Sequence, residues 1–419
     1  MTDNGWRRTT LADCAIINDS TYSPQEKWPF INYLDTGNIT ENRVEQIQHL
    51  VAGQDKIPSR ARRKVQPGDI VYSTVRPNQR HFGILKELPE NFLASTGFAV
   101  IRGNGDTAET DYLYYFLSQD HIVDHLHTIA EHSTSAYPSI KPRDIASLEL
   151  SLPPIDEQRR ISHILGTLDD KIELNRCMSE TLQDMAQALF KSWFVDFDPV
   201  RAKAEGRPTG LPPDIDVLFP DSFQDSELGA IPEGWEVGEL VDVIDVNPPR
   251  VIKRGTLAKH VGMAALPTSG PRVAQWTQRA FTSGSRYMLG DTLLARITPS
   301  LENGKTALVD FLEEGEVGWG STEFIVLRPK TPWPPAIGYL VARDRSFRDH
   351  AIVNMTGTSG RQRVPPEAVA SHLMVLPPCA IAEGFGRVVE PVLQFVTTVA
   401  EQSRTLAITR EAQVPILIK

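Results

Sequence analysis

Cysteine is scarce. Cys14, Cys177 and Cys379 are widely separated, at no spacing that would build a metal site or a disulfide framework. That excludes a stapled secreted scaffold and predicts a reduced, cytoplasmic protein. No apolar run approaches the roughly 20 residues a membrane helix needs. The opening MTDNGWRRTTLADCA lacks the apolar core of a secretory signal. Nucleotide-binding signatures are missing too. Gly304-Lys305-Thr306 copies the end of a phosphate-binding loop, but the first glycine of that motif would fall at Pro299. Asn247-Pro248-Pro249-Arg250 copies the Asn-Pro-Pro-aromatic motif of adenine methyltransferases, with arginine where a ring must stack on a flipped base. No glycine-rich strand–turn–helix for a methyl donor and no nuclease motif of paired acids with a following lysine is found. His121, Asp124, His125 and His127 could share a helix face, either as metal ligands or as solvated surface.

Composition is ordinary for a globular protein: 41% hydrophobic and 23% charged, in a 419-residue chain long enough for two or three domains. The net charge of −10 argues against a polyanionic partner, but the distribution reverses that argument. From Lys56 to Lys86 the cations are Lys56, Arg60, Arg62, Arg63, Lys64, Arg76, Arg80 and Lys86, against Asp69 alone. From Arg250 to Arg296 they are Arg250, Lys253, Arg254, Lys259, Arg272, Arg279, Arg286 and Arg296, against Asp291 alone.

These stretches occupy matching places in a chain that is written twice. Gly5-Trp6 and Gly234-Trp235 each open a half, and Gly68-Asp69-Ile70 answers Gly290-Asp291-Thr292. Val75-Arg76-Pro77 answers Ile297-Thr298-Pro299, and Ser95-Thr96-Gly97-Phe98 answers Ser321-Thr322-Glu323-Phe324. Each half ends in a short strand, a Leu-Pro-Pro break and a long apolar-periodic helix. The boundaries read from this pattern are 1–152 and 233–376 for two mixed α/β domains, 153–198 and 377–419 for the helices, and 199–232 for a Pro- and Gly-rich linker that core packing would not use. The expected fold is therefore α+β.

In the first helix Ile161, Leu165, Leu168, Ile172, Asn175, Ser179, Leu182, Ala186, Leu189 and Trp193 keep a four–three alternation. In the second, Phe385, Val388, Val392, Phe395, Val399 and Leu406 do the same, with Gln402 as a polar member. That period predicts a coiled-coil seam between helices roughly 55–65 Å long. Each helix could instead pack on its own domain. Pro391 should kink the second and Pro415 should end it. Phe190, Trp193, Phe194 and Phe197 close the first helix as an apolar cluster suited to a partner protein.

The run Leu152-Pro153-Pro154-Ile155-Asp156-Glu157-Gln158, followed by Leu168-Asp169, Asn175 and Phe190-Lys191-Ser192-Trp193-Phe194-Val195-Asp196-Phe197-Asp198-Pro199-Val200, strongly resembles the DNA specificity subunit of type I restriction–modification systems. The resemblance covers the whole chain. It implies two target-recognition domains that read a split double-stranded DNA sequence, and an antiparallel helix pair that sets an unread spacer. It also implies a subunit without catalytic activity or cofactor of its own. Its partners would be two modification subunits that methylate adenine N6 with S-adenosylmethionine, together with ATP- and Mg2+-dependent restriction subunits. The second helix departs from the pattern: Cys379-Ala380-Ile381-Ala382-Glu383 lacks the usual Glu-Gln pair. Two other readings stay open, a recognition module of another phage-defence complex and a self-contained DNA methyltransferase.

Base readers need cations and amides together, because arginine suits guanine and asparagine or glutamine suits adenine. In the first half that points to Arg76, Asn78, Gln79 and Arg80, then to Ser133, Thr134, Ser135, Tyr137 and Lys141. In the second it points to Arg296, Thr298, Ser300, Asn303 and Lys305, then to Thr358, Ser359, Arg361, Gln362 and Arg363. Arg60, Arg62, Arg63, Arg250, Lys253, Arg254 and Lys259 suit phosphates better than bases.

Overall fold

The structure is a computed structural model that describes residues 5–133, 137–273 and 275–418. Contacts divide it into two compact units, Met1–Ile172 with Arg404–Lys419, and Glu173–Ser403.

The first unit holds two four-stranded sheets. The strands of these two sheets are β1 (Ala15–Ile17), β2 (Phe30–Leu34), β3 (Gln48–Val51), β4 (Ala61–Lys64), β5 (Asp69–Ser73), β6 (Phe82–Leu85), β7 (Phe92–Ser95) and β8 (Phe98–Gly103). One sheet runs β1-β8-β5-β6 and the other β3-β2-β7-β4. The second unit supplies β9 (Ile244–Val246), β10 (Leu257–Val261), β11 (Thr277–Ala280), β12 (Ser285–Tyr287), β13 (Thr292–Ala295), β14 (Thr306–Leu308), β15 (Gly318–Gly320) and β16 (Phe324–Pro329). Its sheets run β9-β16-β13-β14 and β11-β10-β15-β12, the same orders advanced by eight. Even the parallel pair recurs, β2 with β7 and β10 with β15. The helices follow suit: α1 (Thr110–Ser118), α2 (Asp120–Glu131) and α3 (Ile155–Phe194) are answered by α4 (Ala336–Arg343), α5 (Arg345–Val353) and α6 (Cys379–Leu417).

The repeat is held by the same supports in both units. Before β5 and before β13 the chain turns through Gly68 (φ 89°) and Gly290 (φ 82°). A side chain is strained at such angles. Asp69 and Asp291 follow, both fully buried. Asp69 accepts from the Gln66 N–H at 2.7 Å and from Arg102 at 2.6 and 2.8 Å. Asp291 accepts from the Met288 N–H at 2.7 Å, from Arg328 at 2.6 Å and from Arg250 at 3.4 Å. Asn18 and Asn247 are both left-handed, at φ 57° and 53°. Each exchanges hydrogen bonds with the neighbouring strand, Asn18 with Val100 and Asn247 with Val326. Asn247 is thus a backbone clamp, which gives the Asn-Pro-Pro-Arg lookalike a structural explanation.

Helix α1 is apolar around its whole circumference, and Tyr112, Leu113 and Phe116 are buried with Ile122 and Leu126 of α2. The same core takes Ile161 and Leu165 from α3 and Ile418 from the chain's end, so the two long helices meet in the first unit. There Arg410 pairs with Asp169 at 2.8 Å. In the second unit Asn175 donates to Gln402 at 3.0 Å, and Phe385 packs on Phe190, Trp193 and Phe194. Partner numbers fall on one helix as they rise on the other, so the pairing is antiparallel.

Three expectations need correction. Phe190, Trp193, Phe194 and Phe197 are not a partner-facing patch, since each is buried and none is more than 7% exposed. They are covered by segment 199–232, which is no bare linker: Val200, Ile215, Phe219 and Ile231 enter the same core. Second, the seam of α6 does not follow the heptad throughout. Phe385 and Val399 are buried, Val388, Val392 and Leu406 are half-buried, and Phe395 is 48% exposed while Val389, Leu393 and Val396 are buried instead. Here α6 serves two surfaces, because Arg272 and Asp310 of the same unit bind the Thr397 carbonyl and hydroxyl at 3.1 and 3.0 Å. On α3, Ile161, Leu165 and Asn175 are buried, and Leu168, Ile172, Leu182 and Leu189 half-buried. Third, α6 does not end at Pro415 but continues to Leu417.

Candidate nucleic-acid interface

In each unit the two candidate loops are tied to each other. The first follows β5. The Arg76 N–H donates to the Pro138 carbonyl at 2.9 Å, the Ile140 N–H to Thr74 at 2.8 Å, and Val75 bridges Ser139. In the second unit the Thr298 N–H donates to the Gln362 carbonyl at 3.0 Å, the Val364 N–H to Arg296 at 2.9 Å, and Ile297 bridges Arg363. Loops that differ in composition between the two units nonetheless share one fastening. Thr134 and Ser135 lie outside the described residues; Ser133 is half-buried and Lys141 exposed.

The first loop winds a short turn, Pro77–Gln79, between Arg76 (φ 50°) and Arg80 (φ 54°). Asn78 and Gln79 are exposed. Arg80 behaves differently. It binds Glu41 at 3.1 Å, the Ser118 carbonyl at 3.2 Å, and Asp120. Its donors are engaged inside the unit, which corrects its assignment as a base reader and makes it the loop's anchor. Arg76 instead lies exposed over the Tyr137 ring, 5.0 Å from its centre.

The second unit anchors its other loop. Arg363 grips Glu323 with two parallel bonds, Nε to Oε2 at 2.9 Å and Nη2 to Oε1 at 2.7 Å. Those bonds hold the Glu323 carboxyl below its ordinary range. Arg363 is therefore also reassigned from reader to anchor, while Thr358, Ser359, Arg361 and Asn303 are exposed. Arg296, Thr298, Ser300 and Gln362 are half-buried, and Lys305 donates to the Met263 carbonyl at 3.1 Å.

The proposed phosphate set divides in the same way. Arg60, Lys253 and Arg254 are exposed, and Arg62 is half-buried. Arg63 is half-buried with its pKa lowered by desolvation. Arg250 is engaged by Asp291, and Lys259 by Glu316 and the Phe311 carbonyl, both at 2.9 Å. These two support the unit internally. Among the described residues no group of His, Cys, Asp or Glu could hold a metal ion, and no helix is long and apolar enough to cross a membrane.

Sequence reading missed Glu41, Asp120 and Glu323, the acids that make two arginines into anchors. One signal was available: Glu323 stands where the first half has Gly97, and both carbonyls accept from the loop's first residue, Arg296 and Thr74.

Residues 5–183 match the model of the type I restriction modification DNA specificity domain. Over 297 residues the chain is 29% identical to the type I restriction enzyme HindI specificity subunit of Haemophilus influenzae, which is 68% of this chain and 61% of that protein. The chain is similar to type I restriction–modification specificity subunits. A second similar protein, the type I restriction enzyme MjaIX specificity subunit of Methanocaldococcus jannaschii, is 31% identical over 142 residues, 34% of this chain and 29% of that one. This chain thus spans less than two thirds of the length of either relative. The crystal structure of a type I restriction–modification S subunit from M. genitalium shares the fold, with a TM-score of 0.59 at 11% identity over 100% of this chain and 97% of that one.

Proposed function

We propose that this chain is a type I restriction–modification specificity subunit that reads a bipartite double-stranded DNA target, one half-site through residues 1–152 and the other through residues 233–376. Helices 153–198 and 377–419 set the unread spacer. The chain carries no catalysis. It scaffolds two modification subunits, which use S-adenosylmethionine, and restriction subunits that use ATP and Mg2+. The observation that carries this reading is the repeated fastening of two polar loops beside β5 and β13, each presenting amides, hydroxyls and an exposed arginine. With Phe190, Trp193, Phe194 and Phe197 buried, the surface proposed for partner subunits moves to Leu174 and Met185, two of the exposed apolar side chains of α3.

Protection of DNA by the chain with its modification subunits tests the reading. Gln79→Ala is expected to relax one half-site and Arg361→Ala the other, each by roughly five- to a hundredfold in discrimination. Equal loss at both half-sites from either change refutes domain-wise reading. Deleting one heptad from both helices is expected to alter spacer preference and leave both half-sites intact; unchanged spacing refutes the ruler.

A further inference from the structure

Two arginines flank the short turn after β5, and the structure treats them in opposite ways. Arg80 is engaged by Glu41, Asp120 and the Ser118 carbonyl. Arg76 is exposed and lies over Tyr137, a ring that is itself 59% exposed. The backbone beneath both is fixed. Arg76 is left-handed, its N–H donates to the Pro138 carbonyl next to Tyr137, and Val75 bridges Ser139. A left-handed arginine carries a steric cost that the surroundings must offset, and such residues cluster where a side chain must be aimed.

We propose that Arg76 is the guanine-reading side chain of the first half-site and that Tyr137 is its positioning residue. This rests on the DNA-reading role proposed above. A guanidinium over an aromatic face uses its flat side for that contact, which leaves its in-plane N–H fork for a ligand. Guanine offers O6 and N7 side by side in the major groove, two acceptors spaced for that fork. Adenine offers a donor at one of those places and repels it. Holding the guanidinium against Tyr137 before DNA arrives also reduces the freedom lost on binding.

Mapping of methyladenine in the host gives the target. Duplexes are then made in which single guanines are replaced by 7-deazaguanine, which lacks the N7 acceptor, and binding by the complex with modification subunits is measured. One replacement is expected to weaken the wild-type complex roughly tenfold or more. That penalty is expected to vanish in Arg76→Ala, to fall several-fold in Tyr137→Leu and to persist in Tyr137→Phe. Matching melting curves for the variants confirm that these surface changes leave the fold intact. The proposal is overturned if no guanine shows a penalty dependent on Arg76, or if Tyr137→Leu discriminates like the wild type. It is also overturned if Arg76→Ala weakens all sequences equally with a shallower salt dependence, the signature of a phosphate contact. A complex that protects no bipartite target at all overturns the DNA-reading role as well.

Discussion

Removing the guanidinium of Arg102 is expected to destabilise the first unit more than removing that of Arg328 destabilises the second. Both arginines grip a fully buried aspartate, Asp69 or Asp291, at 2.6 Å. Deleting one partner of a buried pair typically costs about 3–5 kcal/mol, because the other charge is left without compensation. Arg102 is itself 26% exposed, so water can enter where it stood, and the lower end, about 3 kcal/mol, applies to Arg102→Ala. Asp291 has a second cation, Arg250 at 3.4 Å, which remains in Arg328→Ala and reduces the loss to about 1–2 kcal/mol. For units of this size these values correspond to falls of about 6–12 °C and about 2–8 °C in melting temperature. Calorimetry on Arg102→Ala, Arg328→Ala, Arg250→Ala and the double variant Arg250→Ala with Arg328→Ala is the assay. The double variant is expected to lose more than the sum of its singles, since either cation can serve when the other is gone. Equal single losses, or an additive double, refute the claim that Arg250 backs up Arg328.

Other perturbations have equally definite outcomes. Trp193→Ala should lower stability by about 3–5 kcal/mol in a calorimetric scan, because the indole is 1% exposed among Phe194, Phe219 and Phe385; a near-neutral result would restore it as a surface residue. Asn175→Leu should raise stability by about 1 kcal/mol or more, since its Oδ1 is buried without a hydrogen-bond partner and Gln402 is exposed enough to turn to water; urea melts of both proteins decide it. Burial, reinforced by His350 and opposed by Asp344, pushes His372 down to about 4. An unfolded histidine titrates near ~6.5, so between those values the unfolded chain binds the extra proton and stability falls as pH falls. With its partial exposure discounted, the loss is about 1 kcal/mol by pH ~5. His372→Leu should flatten that acid limb in melts compared across the pH range, and an unchanged slope refutes the assignment.

What sequence could and could not disclose follows from which forces act locally. The repeat was legible because its supports are local: a left-handed glycine, the aspartate after it, an asparagine clamp. The start of α3 was legible because Ile161 and Leu165 meet a core along one face. Phe395 was misplaced because a period describes one contact surface, and α6 has two in this stretch. The aromatics from Phe190 to Phe197 were misplaced because proline and glycine were read as excluding segment 199–232 from any core. Those residues restrict the backbone, but they do not stop Ile215, Phe219 and Ile231 from pointing inward.

The anchoring arginines show the limit most clearly. Within one short loop Arg76 and Arg80 are chemically identical, and only acids distant in sequence, Glu41 and Asp120, distinguish them. A chain that carries two copies of its fold offers a partial way round this. Where both copies hold the same group in the same place, as with Asp69 and Asp291 or Asn18 and Asn247, the group secures the frame, because two loops of different chemistry could not both require it for contact. Where the copies differ at one place, as with Gly97 and Glu323, the difference marks a change in how the adjoining loop is held. Candidate readers therefore lie at positions that differ between the copies, are exposed, and have no acid from elsewhere in the unit holding them. Arg76 and Arg361 meet the test of exposure and Arg80 and Arg363 fail the test of freedom, although sequence alone ranked all four together.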